Sequence, residues 1–536
     1  MRYKTSLLLV VIAISFQGMA IQLNAQKAND NKPNIVFFLV DDLGWTDVNC
    51  FGSSFYETPN IDVLAEAGVR FTNAYAACHV CSPTRASILT GKYPATINLS
   101  DWLPGRGEFP FQKFSNAIIN QHLPYEEVTI AEALKDIGYK TAIIGKWHLG
   151  EDPSNPMAHG FDMHIPDWAK GWPKNGYFAP FGMKGLEDSK DSDYLTDRLT
   201  DEALKYMESN KDNPFFLYMS HYAVHDPIQG RKDLVEKYAG KLEKMDNNSS
   251  PAYILEDNPN NPSREELDSL LNTPAYEPHK LLPNDIVKIK QKQDNVEFAG
   301  MVESMDESLG RIVSKLKELG IEDNTIILFY SDNGGMAAAN FGNPKRIIPE
   351  EKLDKAYSTS NLPLRGAKGW MYEGGIRVPL IIKWPGNGKQ NAECTAVTSV
   401  DMFPTILNMV GAAEKIGKDN EGVDISPLVK GETMERGPIY WHFPHYSNHG
   451  MQSPGGAIRD GDYKLLEYFE NGTVQLFNLK NDIGEQNDLS GIEVEKTREL
   501  KEKLHQWREK VGAKMMEPNP DYDPSVKADE FYKYKN

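Results

Sequence analysis

Several side chains in this 536-residue chain fall where they could do chemistry together. The adjacent carboxylates Asp41 and Asp42 follow the apolar run Ile35 to Val40, and Asp332-Asn333 follows a second run, Thr325 to Tyr330. Four hard oxygen ligands of this kind suit Ca²⁺, and suit zinc less, which prefers nitrogen and sulfur. Left unliganded, neighbouring acids at a buried strand end would repel each other and resist desolvation; the plain alternative is that they cap the next turn. Lys146 and His148 in Gly145-Lys146-Trp147-His148, then His225, then Lys368 in the glycine-containing loop Leu364 to Trp370, also follow apolar runs or loops. Singly each reads as a solvated charge or a satisfied histidine. With Arg85 and a metal they make a cationic cup for a tetrahedral oxyanion, with histidines able to move protons near neutral pH.

The stretch Cys78-His79-Val80-Cys81-Ser82-Pro83-Thr84-Arg85 runs into Ala86 to Gly91. Ser82 is a good N-cap, Pro83 suits the first helical position, and Gly91 can close the helix. Cys81 is thereby placed at a helix N-terminus, where unpaired N–H groups and the dipole favour an anion, and Arg85 adds a charge one turn in. A buried thiol beside a capped helix is the plain alternative. Cys78 and Cys81 form a C-x-x-C, but a zinc site needs a second pair, which the cysteines at 50 and 394 do not make, and the thioredoxin-like context is missing. A Cys81 thiolate has no general base beside it in sequence, so the residues alone leave the nucleophile unassigned.

The elements that must position these groups alternate. Helices are expected at Thr58 to Gly68, Val128 to Ile137, Leu195 to Ser209 and Val296 to Leu319, and strands at Ile35 to Val40, Thr141 to Ile144, Phe215 to Ser220 and Thr325 to Tyr330. The alternation predicts an α/β sandwich around a mostly parallel sheet, where ligands bind beyond the carboxyl ends of the strands, and four strands deliver the polar groups above to that edge. Residues 232–295 have little periodicity and read as an excursion over the active-site mouth carrying some helix. After a helix at Asp401 to Val410, strands at Pro438 to His442, Ala457 to Arg459, Tyr463 to Tyr468 and Val474 to Asn478 and a helix at Val494 to Val511 predict a smaller α+β domain with an antiparallel sheet.

The chain divides into a signal peptide over 1–25, with Arg2 and Lys4 before an apolar run and cleavage after Ala25, a catalytic domain over 26–415 and a C-terminal subdomain over 416–536. No later stretch is long and apolar enough for stable membrane insertion. The formal charge of −18, two units more negative without the signal, argues against nucleic acid and confines positive charge to a pocket. Four cysteines are too few for a disulfide scaffold. The protein is expected to be exported, to the periplasm or beyond it.

Cys81-Ser82-Pro83-Thr84-Arg85 with Ala86-Ser87-Ile88-Leu89-Thr90-Gly91 resembles the signature of the type I sulfatases, in which the cysteine is converted to Cα-formylglycine (3-oxoalanine). Asp41-Asp42, Gly145-Lys146-Trp147-His148-Leu149-Gly150, His225, Ser331-Asp332-Asn333-Gly334, and Lys368 with Tyr372-Glu373-Gly374-Gly375 match the family's other blocks in order. The resemblance implies an alkaline-phosphatase-like sandwich and a sulfuric ester hydrolase. A formylglycine-generating enzyme would act on Cys81, whose hydrated form supplies the attacking oxygen, and Asp41, Asp42, Asp332 and Asn333, with the group at 81, would hold Ca²⁺. It further implies that Arg85 and Lys146 position the formylglycine and sulfate, that Lys368 binds sulfate oxygens, that His225 protonates the leaving alcohol, and that His148 assists loss of sulfate from the covalent hemiacetal ester. His225 is taken over His221 on the family spacing alone.

Export and the family together imply a sulfated carbohydrate, such as a glycosaminoglycan or mucin glycan, with exo-removal of a sulfate at O4 of galactose or N-acetylgalactosamine as the finer reading. Asp101 and Trp102, and His442 and His445 within Trp441 to Tyr446, are candidates for the sugar-binding rim. The competing readings are a phosphate or phosphonate ester hydrolase of the same superfamily and a non-catalytic glycan-binding homologue.

Overall fold

The computed structural model describes residues 32–245, 252–256, 287–339, 357–387 and 392–528; the expected signal peptide lies outside them. Its centre is a seven-stranded sheet in the order β2-β7-β6-β1-β5-β3-β4, with β1 Asn34–Val40, β2 Val69–Phe71, β3 Lys140–Gly145, β4 Met163–Ile165, β5 Phe215–Ser220, β6 Thr325–Ser331 and β7 Leu380–Lys383. Strands β6, β1, β5, β3 and β4 run parallel, and β7 and β2 each pair antiparallel at one edge. The uninterrupted apolar runs are explained by burial on both faces. In β1, Val36, Phe38 and Val40 face one core while Ile35, Phe37 and Leu39 face the other.

On the first face pack α1 (Pro59–Ala67), α4 (Leu195–Asn210) and α6 (Val296–Glu318), through Ile61, Leu199 and Met305 among others. On the second pack α2 (Cys81–Thr90), α3 (Ile130–Asp136) and α7 (Met402–Met409), through Ile88, Leu134 and Ile406. The second core also takes in Ile425, Leu428 and Val429, and the first strand of the smaller sheet begins at Ile439. Of residues 232–295, the described ones form the expected stretch of helix, α5 (Lys232–Leu242), which packs on α6, and Tyr253–Glu256, which pairs antiparallel with Val287–Lys290. None of their described residues lines the catalytic pocket.

The smaller unit is a four-stranded meander, β8 (Ile439–Phe443), β9 (Gly455–Asp460), β10 (Tyr463–Tyr468) and β11 (Val474–Asn478). Leu500, Leu504 and Trp507 of α8 (Val494–Val511) cover one face; on the other, Trp441, Leu466 and Phe477 pack against Tyr75, Trp370 and Tyr372. The meander is thereby seated on the loop that carries Lys368.

Candidate active site

The parallel strands end in register, and backbone hydrogen bonds tie their carboxyl ends together: Asp41 N–H to Ala223, Lys146 N–H to Ser220, and Asp332 N–H to Val40. Asp42 and His148 both adopt positive φ, +62° and +57°, a costly conformation that bends each chain out of its strand direction at the pocket. The Lys368 loop is fastened by its own N–H to Gly335 and by Gly369 N–H to His79. At Gly334 a Cβ would lie 1.9 Å from the Gly374 carbonyl, so only glycine lets these two segments pass.

Helix α2 begins two residues earlier than the capping pattern predicts. Cys81 is its first residue and Val80 its N-cap, with no side-chain cap, because the Ser82 hydroxyl accepts from Leu103 N–H instead. Gly91 closes the helix at φ +69°, as expected. The base that Cys81 lacks in its own segment arrives from beyond β3: His148 Nδ1 lies 3.4 Å from Cys81 Sγ. Since His148 Nε2 faces the Leu103 carbonyl at 2.8 Å, Nε2 carries the proton and Nδ1 offers its lone pair to residue 81. Burial, Lys146 and Arg85 hold this ring well below its ordinary pKa, hence neutral. Cys78 is buried and unbridged, packed with Val80 and Phe443.

Three buried carboxylates are matched one to one by three buried cations. Lys146 Nζ lies 2.6 Å from Asp41, Lys368 Nζ 2.8 Å from Asp42, and Arg85 Nη2 2.7 Å from Asp332. Burial and the Asp332 charge push Asp41 well above the carboxylate range, whereas at Asp42 burial is outweighed by Lys368 and at Asp332 by Arg85, and both are lowered. Yet the match is incomplete: the buried Asp41 Oδ1 and Asn333 Oδ1 accept no hydrogen bond. One ligand atom each from Asp41, Cys81 and Asp332 lie within 4.8 Å of one another, as do those of Asp41, Asp42 and His225. Enclosed carboxylates with orphaned oxygens fit a hard cation such as Ca²⁺.

A cavity of about 580 Å³ opens onto this cluster. Cys81, His148, His225 and Lys368 line it, with Trp102 of the expected rim. His225 Nδ1 is held by Asp226, 2.8 Å from its carboxylate, and Nε2 lies 3.8 Å from Asp42. Burial and Lys368 oppose its charge, but Asp42, Asp41 and Asp226 outweigh them and raise it to about 9. His221, the alternative to His225, faces the core instead, with Nε2 2.9 Å from Ser308 Oγ.

Three of the residues expected at the rim lie off this cavity. Asp101 is buried and spends its carboxylate on Trp102 and Arg106 N–H groups; His442 donates to the Lys514 carbonyl; His445 pairs with Ser100 Oγ. None of the three lines the cavity. In their place stand Trp172, Gln229, Asn448 and His449, which residue patterns did not single out. Alternation along β8 aims His442 away from the site, and only the loop beyond the strand reaches it; the polar, glycine-bounded run Ser447 to Gly450 was the available signal.

Comparison with known proteins places the chain in a family. The sulfatase family model matches residues 33–412, and a model for the C-terminal region of N-sulphoglucosamine sulphohydrolase matches residues 367–512. A sulfatase of Formosa agariphila is 28% identical over 90% of this chain and 88% of its own length, and an N-acetylglucosamine-6-O-sulfatase of Bacteroides thetaiotaomicron is 25% identical over 97% and 93%. The crystal structure of Ps i-CgsB in complex with k-i-k-neocarrahexaose superposes with a TM-score of 0.66 at 27% identity, covering 89% of this chain and 93% of that one. The family model and these named relatives make the chain a sulfuric ester hydrolase. The chain belongs to the sulfatase family.

Proposed function

We propose that the pocket is a carbohydrate sulfatase site operating on a formylglycine at position 81, with Ca²⁺ held by Asp41, Asp42, Asp332 and Asn333. The observation that carries this is the setting of residue 81: first in its helix, 3.4 Å from a neutral histidine nitrogen and grouped with two of the carboxylates. Hydrated formylglycine would supply the attacking oxygen, and a divalent ion would supply Lewis acidity and turn a site whose carboxylates and cations balance into a positive one suited to a sulfate ester. The chain's own groups do the rest. Arg85 orients the head of residue 81 while bracing Asp332. Lys146 and Lys368 face the sulfate oxygens and stabilise charge on the transferring group. His148 Nδ1 takes a proton from the side chain at 81. His225, protonated at neutral pH and held through Nδ1, presents Nε2 to the leaving oxygen as general acid.

The relatives that act on N-acetylglucosamine 6-sulfate and that hold neocarrahexaose support a sulfated sugar as substrate. A cavity of about 580 Å³ suits one or two sugar rings, in keeping with exo action. The galactose-type O4 sulfate stays the finer proposal, which a panel of sugars monosulfated at O2, O3, O4 and O6 decides. Export and maturation by a formylglycine-generating enzyme complete the reading; no described helix is long and apolar enough to cross a membrane. Mass spectrometry of active enzyme is expected to find an aldehyde at position 81, and full activity with an intact thiol would overturn the mechanism. Rates on paired sulfate and phosphate esters separate this reading from a phosphohydrolase.

A further inference from the structure

The walls of the pocket divide by origin. Its floor, formed by Cys81, His148, His225 and Lys368, comes from the large sheet and its loops, whereas Asn448 and His449 come from the smaller unit, on the loop between β8 and β9. His449 is only 6% exposed yet lines the cavity, and its buried Nδ1 has no hydrogen-bond partner. Nδ1 is closed off from the cavity, which leaves Nε2, neither enclosed nor hydrogen-bonded, as the ring nitrogen open to a ligand. The ring is also held in place. Its backbone is pinned by reciprocal bonds with Ser447 Oγ, at 3.2 Å from His449 N–H and 2.9 Å to His449 C=O. Gly369, at φ +87°, packs so closely that a Cβ there would meet the His449 carbonyl at 2.3 Å, which seats His449 directly against the Lys368 loop. Beside it, Trp102 Nε1 donates to Asn448 Oδ1 at 3.2 Å, fixing that carboxamide across the junction of the two units.

The charge of the lining narrows the ligand. Among the described residues lining the pocket, Lys368 is the sole lysine or arginine, and the remaining charge outside the histidines is the Asp226 carboxylate. Trp102 and Trp172 add aromatic faces. Burial and Lys368 hold His449 well below its ordinary pKa, so the imidazole is a neutral hydrogen-bonding group. Among the described lining residues, a second sulfate or a uronate carboxylate would find no lysine or arginine besides Lys368 and would face Asp226.

Resting on the sulfatase reading above, we propose that His449 is a specificity-determining residue that hydrogen-bonds a hydroxyl of the sugar carrying the scissile sulfate, and that the pocket takes an otherwise uncharged, monosulfated sugar ring. The large sheet reads the sulfate and the smaller unit's loop reads the sugar.

The test compares the intact enzyme with His449→Ala and His449→Gln on 4-nitrophenyl sulfate, which has a sulfate but no sugar hydroxyls, and on the best monosulfated sugar of the panel. His449→Ala is expected to lower kcat/KM on the sugar by about 10- to 100-fold and to leave the aryl sulfate within about threefold, with His449→Gln recovering part of the loss. Equal losses on both substrates, or no loss on either, would overturn the inference while leaving the sulfatase reading in place. So would a wild-type preference for a disulfated or uronate-linked sugar over the monosulfated one. If wild-type protein with an aldehyde at position 81 releases sulfate from neither class, the sulfatase reading itself falls and takes this inference with it.

Discussion

Two of the buried ionic clusters among the described residues differ in one respect. At the strand ends, Asp41, Asp42 and Asp332 are balanced by Lys146, Lys368 and Arg85, yet Asp41 Oδ1 and Asn333 Oδ1 are left without hydrogen bonds and the cluster opens into a cavity. Under the small sheet, Lys464 lies 3.0 Å from Glu373 and 2.8 Å from Glu485, Tyr75 donates to Glu373 Oε2 at 2.7 Å, and Glu485 Oε2 accepts from Glu373 N–H at 2.7 Å. All four of those carboxylate oxygens are bonded, and none of these groups lines the cavity beside Cys81. The saturated cluster joins the meander to the segment just after Lys368; the unsaturated one keeps acceptor capacity for a ligand. Satisfaction of hydrogen bonds, rather than charge or burial, tells the adhesive network from the reactive one.

That contrast breaks most visibly at residue 81. Cys81→Ala is expected to cut kcat/KM by at least about 10⁴-fold with the unfolding midpoint nearly unchanged, since a nucleophile and not a structural group is lost. A variant that loses stability in proportion to activity would make the strand-end cluster adhesive after all. The opposite outcome is expected for Lys464→Met. It leaves Glu485 buried without a cation and Glu373 with Arg377 alone, for a loss of about 3–5 kcal/mol in denaturant unfolding, while kcat/KM per folded molecule stays within a few-fold.

Cation binding sharpens the distinction further. Ca²⁺ at one hundred times its dissociation constant is expected to stabilise the wild-type protein by about 2.7 kcal/mol, read as a rise in Tm, and Asp332→Asn to abolish most of that rise. An equal rise in the variant would place the ion elsewhere.

An effect confined to acid pH concerns the two histidines expected at the rim. Burial lowers His442 to about 4 and His445 to about 3, so each is neutral in the folded chain and takes up a proton on unfolding below its ordinary value. Their contribution to stability is therefore full above about pH 6.5 and is lost as pH falls towards about 4, at about 1.4 kcal/mol per pH unit for each ring. His445→Gln is expected to make the acid limb of a stability profile shallower by one such slope. An unchanged slope would show that His445 is not buried neutral.

Much of the frame was legible before any coordinates. Strands buried on both faces read as unbroken apolar runs, so β1, β5 and β6 and the residues following them were placed to within a residue or two. The C-terminal strands and α8 were equally plain, because turns such as Asp460-Gly461-Asp462 punctuate them. Less legible was anything set by packing between distant segments. Ser82 reads as a cap by type, yet its hydroxyl is taken by Leu103, and His442 reads as a sugar contact until strand alternation turns it to the Lys514 carbonyl.

By itself, then, the sequence determined the parallel sheet, the order in which its strand ends deliver carboxylates, cations and histidines, and the position of Cys81 at a helix start, because these depend on local periodicity and capping. Only the tertiary structure decided that His148 Nδ1 faces residue 81, that His225 and not His221 lines the pocket, and that His449 and Asn448 close it from the smaller unit. Those facts rest on contacts between segments far apart in the chain, for which a residue's type and spacing carry no direction.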